Sequence, residues 1–185
     1  MNKLKKIELY DLKDLYHHHI VEDFAIYERP PLFALKNHFK KQVMEGYLFI
    51  QNDLDTAYTI NILSNQSIII SLFAVYKEYR NQGIGSLFLK DLIQVYDNKV
   101  IILEVEIPDK SKDDLERIKR VRRIKFYQAN GFVLHEDISY KIFNVPMYLM
   151  TYCKEDLSKE QIIALTKETY SKALDKVLMK MVDIK

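Results

Sequence analysis

The sequence predicts a mixed α/β fold: a mostly antiparallel sheet with a central parallel strand pair, flanked by helices and followed by an extra C-terminal helix. Three observations predict it. After Gly46 come three runs rich in β-branched and aromatic residues, separated by polar turns. The third run passes through Gly83 and Gly85 into a helical pattern and then into another strand. A capped helical pattern closes the chain.

The elements follow in order. Residues 11–28 and 32–45 mix charged and apolar positions at helical spacing, on either side of a stiff break at Pro30 and Pro31. YLFIQ (47–51), AYTINIL (57–63) and SIIISLFAV (67–75) read as consecutive antiparallel strands, with NDLD and SNQ as the turns between them. From Gly83, the residues Ile84, Leu87, Phe88, Leu92, Ile93 and Tyr96 recur at helical intervals, and VIILEVEI (100–107) returns to strand character. A strand, a tight turn, a helix and a strand in that order favour parallel pairing of the two strands.

A further helix ends in RRIKFYQAN and is stopped by Gly131, and FVLHE (132–136) and MYLMTYC (147–153) supply two more strands. Ser158 and Gln161 form a capping box. Beyond it, Ile163, Tyr170, Leu174, Val177, Leu178 and Met181 form a stripe on a long final helix. That stripe packs on this domain's own surface or meets the second copy of a homodimer.

Composition narrows the function classes. A chain of 185 residues fits one domain, since chains of about 150 residues already bury about 70% of their unfolded surface. With 48% hydrophobic and 29% charged residues it is an ordinary globular protein rather than a disordered, fibrous or membrane one. The net charge of +2 argues against a nucleic-acid partner. Cys153 is the single cysteine, so no internal disulfide forms, and it reads as a small core residue. The lysine-rich start is not followed by an apolar run of signal-peptide length, and no run approaches a membrane span, which predicts a cytoplasmic protein with no membrane partner.

The four glycines are used sparingly, and Gly83 and Gly85 stand together where a strand hands over to a helix, in YRNQGIGSLF (79–88). The first amides of a helix have no intrahelical partner, and the helix dipole adds roughly half a positive charge there. Glycine lets an anion approach such amides closely. A diphosphate suits RNQGIG, with Arg80 as an added cation; the alternative is a turn that uses glycine only for its dihedrals. The spacing lacks the lysine and hydroxyl residue of a Walker-type loop, and Phe88 stands where the dinucleotide fingerprint needs a third glycine or alanine.

At these residues the sequence resembles the GNAT family of N-acetyltransferases. Arg80, Gly83 and Gly85 match the three fixed positions of that family's acetyl-coenzyme A motif, and FYQANGF (126–132) is similar to its second element, an aromatic-tyrosine pair before GF. The resemblance covers residues 1–153, an acetyltransferase domain, and leaves 154–185 as a C-terminal helical extension packed on the same domain. It implies transfer of an acetyl group from acetyl-CoA, as co-substrate and without a metal, to a primary amine of a small molecule or peptide, by direct attack on the thioester. The alternative is a non-catalytic acyl-CoA-binding module of the same fold.

The resemblance also implies site residues. Backbone groups of Phe73, Ala74 and Val75 would meet the pantetheine arm, and amides of Arg80, Asn81, Gln82, Gly83, Ile84, Gly85 and Ser86 would cradle the diphosphate. Tyr127 would protonate the leaving thiolate; its other reading is a tyrosine packed on the sheet. A lysine-like amine has a pKa near 10.4, so about one molecule in a few thousand is neutral at pH 7, and a base is needed. Glu104 and Glu106 lie two apart on one strand and share a face, where closeness and partial desolvation would raise the pKa of one; the other reading is a face that meets solvent or pairs with the basic helix.

One departure from the family's pattern is the insertion at 107–123, which places Arg120 and Arg123 where the family often has asparagine and alanine. Six of the nine residues from Arg117 to Lys125 are basic, either a solvated helix face or an attraction for phosphates or an acidic acceptor. His17, His18 and His19 are consecutive and point about 100° apart on a helix, so they are not read as metal ligands. Tyr16, Asp23, Tyr27 and Glu28 are candidates to line the acceptor site.

Overall fold

The computed structural model describes residues 2–185. Its elements begin with β1 (Asn2–Lys6), α1 (Asp11–Leu15), a π-helical turn (Tyr16–Ile20), α2 (Val21–Asp23), α3 (Leu32–Lys40), β2 (Met44–Gln51), β3 (Leu54–Leu63) and β4 (Ser67–Val75). There follow α4 (Ile84–Val95), β5 (Val100–Glu106), α5 (Asp114–Ala129), β6 (Val133–Ile142), β7 (Val145–Tyr152), α6 (Lys159–Ala173) and β8 (Val182–Ile184). The strands form one mixed sheet in the order β1-β2-β3-β4-β5-β7-β6-β8, with β4 and β5 parallel, as the strand-helix-strand pattern anticipates. The chain divides into two compact units, Met1–Leu63 with Ile70–Val95, and Ser64–Ile69 with Tyr96–Lys185.

In the first unit β1 pairs antiparallel with β2, and β2 with β3. The β2-β3 hairpin turns on Asn52 and Asp53, both left-handed at φ 51° and 63°, the conformation that matches strand twist and that Asn and Asp tolerate best after glycine. Phe88 of α4 stacks on Phe49 of β2 and Phe73 of β4, with centroids 5.3 and 5.2 Å away. Ile84, Phe88, Leu92 and Tyr96 of the helical repeat are buried and dock α4, but Leu87 is exposed and Leu89, outside that repeat, is buried in its place.

The first two helices are shorter than the sequence predicts. The expected 11–28 helix passes through a π-helical turn and stops at Asp23, because Phe24 is extended. Arg29 then ties the returning chain back, donating to the Phe24 carbonyl at 3.1 Å and the Tyr16 hydroxyl at 2.6 Å. The expected 32–45 helix stops at Lys40; Gln42 is left-handed at φ 56°, and Met44 and Glu45 pair with Ile62 and Asn61. β1 gives no sign of itself in sequence, since lysines at Lys3, Lys5 and Lys6 mask any alternation.

In the second unit β5 pairs with β7, β7 with β6, and β6 with β8, all antiparallel. Phe143 and Asn144, at φ 48° and 66°, form the β6-β7 turn. The capping box of Ser158 and Gln161 opens α6 as expected, but the long apolar stripe does not form. Leu174 is extended, the Asp175 carboxylate accepts from the amides of Val177 and Leu178, and the chain ends in a 3-10 turn and β8. Val177 is 71% exposed. The buried face is instead Ile162, Thr166, Thr169 and Tyr170. Thr166 and Thr169 can be buried because their hydroxyls donate to the carbonyls of Ile162 and Leu165, both at 2.8 Å. Cys153 also departs from expectation: it is half-buried, its thiol donating to the Glu155 carbonyl at 2.9 Å. Among the described residues no helix is long and apolar enough to cross a membrane.

Gly46 lies in β2 where a side chain has no room: an added Cβ would sit 2.6 Å from the Thr59 carbonyl oxygen and 2.8 Å from Cδ1 of Ile7. A backbone carbonyl in a sheet cannot swing aside. Gly46→Ala should therefore destabilise the protein by about 1–3 kcal/mol, read as a lowered urea midpoint with an unchanged slope.

Candidate functional site

The glycine turn sits in the first unit. After β4 a 3-10 turn at Lys77–Tyr79 leads to Arg80, and the chain then takes left-handed conformations at Asn81 (φ 62°) and Gly83 (φ 78°) before α4 begins at Ile84. Such alternation turns successive amides toward one point, as in anion-binding nests. The amides of Ser86 and Leu87 both reach the Gly83 carbonyl at 3.1 Å. Ile84 and Gly85, earlier in the first turn, have no carbonyl within the helix to reach. A Cβ built on Gly83 would meet nothing within 4 Å, so the space over this bend is open. Amides, a helix N-terminus and open room together fit a diphosphate.

Arg80 is less available than the sequence suggests. Its Nη2 donates to Oδ1 of Asp23 at 2.7 Å and its Nε to the Val75 carbonyl at 2.8 Å. Asp23, whose side chain is 7% exposed, also accepts from the Tyr58 hydroxyl at 3.1 Å. Burial and then this carboxylate raise the Tyr58 pKa far above its ordinary value. Asp23 therefore orients the arginine of the turn. Of the other acceptor candidates, Tyr16 is buried with its hydroxyl accepting from Arg29, Tyr27 is exposed, and Glu28 accepts from the Ala25 amide at 2.8 Å. In β4, Phe73 stacks on Phe88 and Ala74 is buried.

The same unit holds a cavity of about 260 Å³ that sequence reading missed, walled in part by Asp11, Asp14, His18, His19, Asp55 and Tyr76. His19 stacks flat on Tyr76, with centroids 3.9 Å apart. Asp11, Asp14 and His18 follow one another at helical spacing, but Asp55 and Tyr76 come from elements that no spacing links to them. Among the described residues no group of three or more His, Cys, Asp or Glu is placed to hold a metal ion.

The catalytic candidates lie in the second unit, and the two glutamates of β5 have opposite surroundings. Glu106 meets Arg120 and Arg123 of α5, each at 2.9 Å, and Arg120 also binds Glu116 at 2.7 Å and the Ile107 carbonyl at 2.8 Å. The basic helix is thus turned partly inward, onto this carboxylate. Glu104 is half-buried, and its Oε1 accepts from the hydroxyls of Tyr140 in β6 and Tyr170 in α6. Burial raises its pKa above the ordinary carboxylate range, and the two hydroxyl donors draw it part of the way back. The shift comes from burial, one of the two causes the sequence suggested; Glu106 is not among its causes.

Tyr127 is buried near the end of α5, edge-on to the rings of Phe126 and Phe132 at 5.1 and 5.6 Å. Burial pushes its pKa up to about 12, against an opposing pull from Arg123. Its hydroxyl therefore carries a proton at neutral pH. Gly131 ends this segment in the left-handed conformation expected of it, at φ 87°.

No protein-family model matches the sequence, and no curated protein is similar to it. Solved structures are similar. A protein assigned to the GNAT family of acetyltransferases from Bacteroides thetaiotaomicron is 23% identical, with a TM-score of 0.76 over 94% of this chain and 99% of its own. The ribosomal-protein-S18-alanine N-acetyltransferase of Escherichia coli is 20% identical, with a TM-score of 0.57 over 85% of this chain and 99% of its own. A variant of the spermidine N-acetyltransferase of Vibrio cholerae is 11% identical, with a TM-score of 0.59 over 82% of this chain and 92% of its own. At such identities the likeness is one of fold, and the fold of this chain is that of the GNAT N-acetyltransferases.

Proposed function

We propose that this protein is an acetyl-CoA-dependent N-acetyltransferase that acts in the cytoplasm on a primary amine. The observation that carries the reading is the bend at Asn81 and Gly83, left-handed at both residues, open above Gly83 and set at the start of α4. Acetyl-CoA, when bound, supplies an acetyl thioester that a neutral amine can attack, with the thiol leaving. The amides of residues 81–85 hold the diphosphate, and Ser86 and Leu87 anchor the turn through Gly83. Backbone groups of Phe73 to Val75 orient the pantetheine arm.

Glu104 takes the proton that the acceptor ammonium must lose. Its half-buried carboxylate accepts from two neutral hydroxyls and has no cationic partner among the described residues, whereas Glu106 is engaged by two guanidiniums. The Tyr127 hydroxyl gives its proton to the departing sulfur, and the second proton shed by the nitrogen restores it. The likeness of fold to acetyltransferases whose names specify an alanine of a ribosomal protein and spermidine supports an amine as acceptor.

Titration calorimetry with acetyl-CoA tests the cofactor site. Wild-type protein should bind, and Gly83→Val, which puts a branched side chain into the open space and strains φ, should weaken binding at least about tenfold. Absence of heat from a folded wild type at millimolar acetyl-CoA would sink the proposal. Turnover is read as thiol release across a panel of polyamines, amino acids, aminoglycosides and peptides. With the amine that works, Glu104→Gln and Tyr127→Phe should each lower kcat by about 10²–10⁴-fold, and Glu106→Gln by much less. Binding without turnover on any amine points to the non-catalytic module instead.

A further inference from the structure

The segment from Ser158 to the last residue contributes more than a cover for the sheet. Its helix α6 is fixed at its start by the capping box and along its length by Thr169, whose hydroxyl oxygen lies 2.6 Å from that of Ser67 and 3.3 Å from that of Ser64. One residue further on, Tyr170 is 5% exposed and reaches Glu104. Tyr140 arrives at the same oxygen from β6, just past the irregularity between His135 and Tyr140, and is held there by pairing with Ile184 of β8. Two phenols from separate elements thus meet on Oε1 of one carboxylate, and among the described residues no other hydrogen bond reaches its Oε2.

We infer that Tyr170, with Tyr140, is a positioning residue for Glu104: the two hydroxyls pin Oε1 and so present Oε2 as the atom that accepts the proton of the acceptor ammonium. This rests on the reading of Glu104 as the base. Neutral donors suit the task, because they fix a carboxylate and stabilise its charge without the strong suppression of basicity that a guanidinium brings. The phenols keep their own protons, since burial and the carboxylate beside them raise both pKa values well above the ordinary tyrosine value.

Few charges compete at this point. Opposite Glu104 on β7 stands Leu149. Beyond it on β6, His135 is bonded to Thr151 at 2.7 Å, and β4 carries no ionisable side chain. Glu106, on the same strand, is neutralised by Arg120 and Arg123 of α5. Burial raises the pKa of Glu104, and Tyr140 and Tyr170 are the groups that oppose that rise.

The test uses the full chain with a single phenol removed, Tyr170→Phe, and Tyr140→Phe as a second variant in case the first fails to fold. Two readouts are taken: the pH profile of kcat/KM with the amine that supports thiol release, and the titration of Glu104 by NMR on glutamate-labelled protein. A donor to the ionised form lowers a carboxyl pKa, so its loss raises it. Both the Glu104 titration and the acidic limb of the rate profile should move up together by about one pH unit. If Glu104→Gln is inactive but neither readout moves in the phenylalanine variants, the tyrosines are structural and the inference is overturned. A moved titration with an unmoved rate profile overturns it too. Full activity of Glu104→Gln instead overturns the base assignment itself, a distinct failure.

Discussion

The opening amides of a helix lack carbonyl partners, and residues 80–86 place those of α4 behind a bend with open space above it. This constraint organises the first unit. Left-handed backbone at Asn81 and Gly83 forms the bend. Phe88, stacked on Phe49 and Phe73, fixes the helix that follows, and so fixes the direction in which the amides point. Arg80 completes the rim, but through Asp23 and the Val75 carbonyl. A cation held by a protein carboxylate is shared between that carboxylate and any arriving phosphate, and Asp23 belongs to the helical segment near the start of the chain. The bend is thereby linked to residues that the sequence places far from it.

The second unit separates two chemically identical side chains by their neighbours. Glu104 and Glu106 stand two residues apart on β5, yet one meets phenols and the other guanidiniums. The guanidiniums come from the insertion, whose helix would look like a solvated basic face in isolation. Arg120 and Arg123 are turned onto Glu106 and pair with it, while burial raises the pKa of Glu104. Environment rather than residue type assigns the roles.

Local patterns carried much of this into the sequence. β4 is Ser67–Val75, as the unbroken apolar run between a polar turn and a charged one implies, and the capping box at Ser158 opens its helix where expected. The parallel β4-β5 pair followed from the strand-helix-strand order. What stayed hidden depends on tertiary partners. On the final helix the apolar pattern marks Tyr170 on the buried face but not Thr166 and Thr169, which are polar by type yet satisfy their hydroxyls internally and pack inward. β1 was overlooked because lysines occupy it, and its pairing with β2 is decided by the partner strand. The bonds from Arg80 to Asp23 and from Tyr170 to Glu104 join residues far apart in the chain, and no spacing rule reports them.

β8 is three residues long and lies at one margin of the sheet, against Tyr140, Lys141 and Ile142. A bare strand margin offers unpaired amides and carbonyls to any passing chain, and so seeds fibrils and swapped assemblies. Here the end of β6 at Tyr140–Ile142 is covered, and the short rim that covers it carries charge at Asp183 and Lys185. The tail that steadies Tyr140 thus also removes part of one margin of the sheet from the reach of another strand.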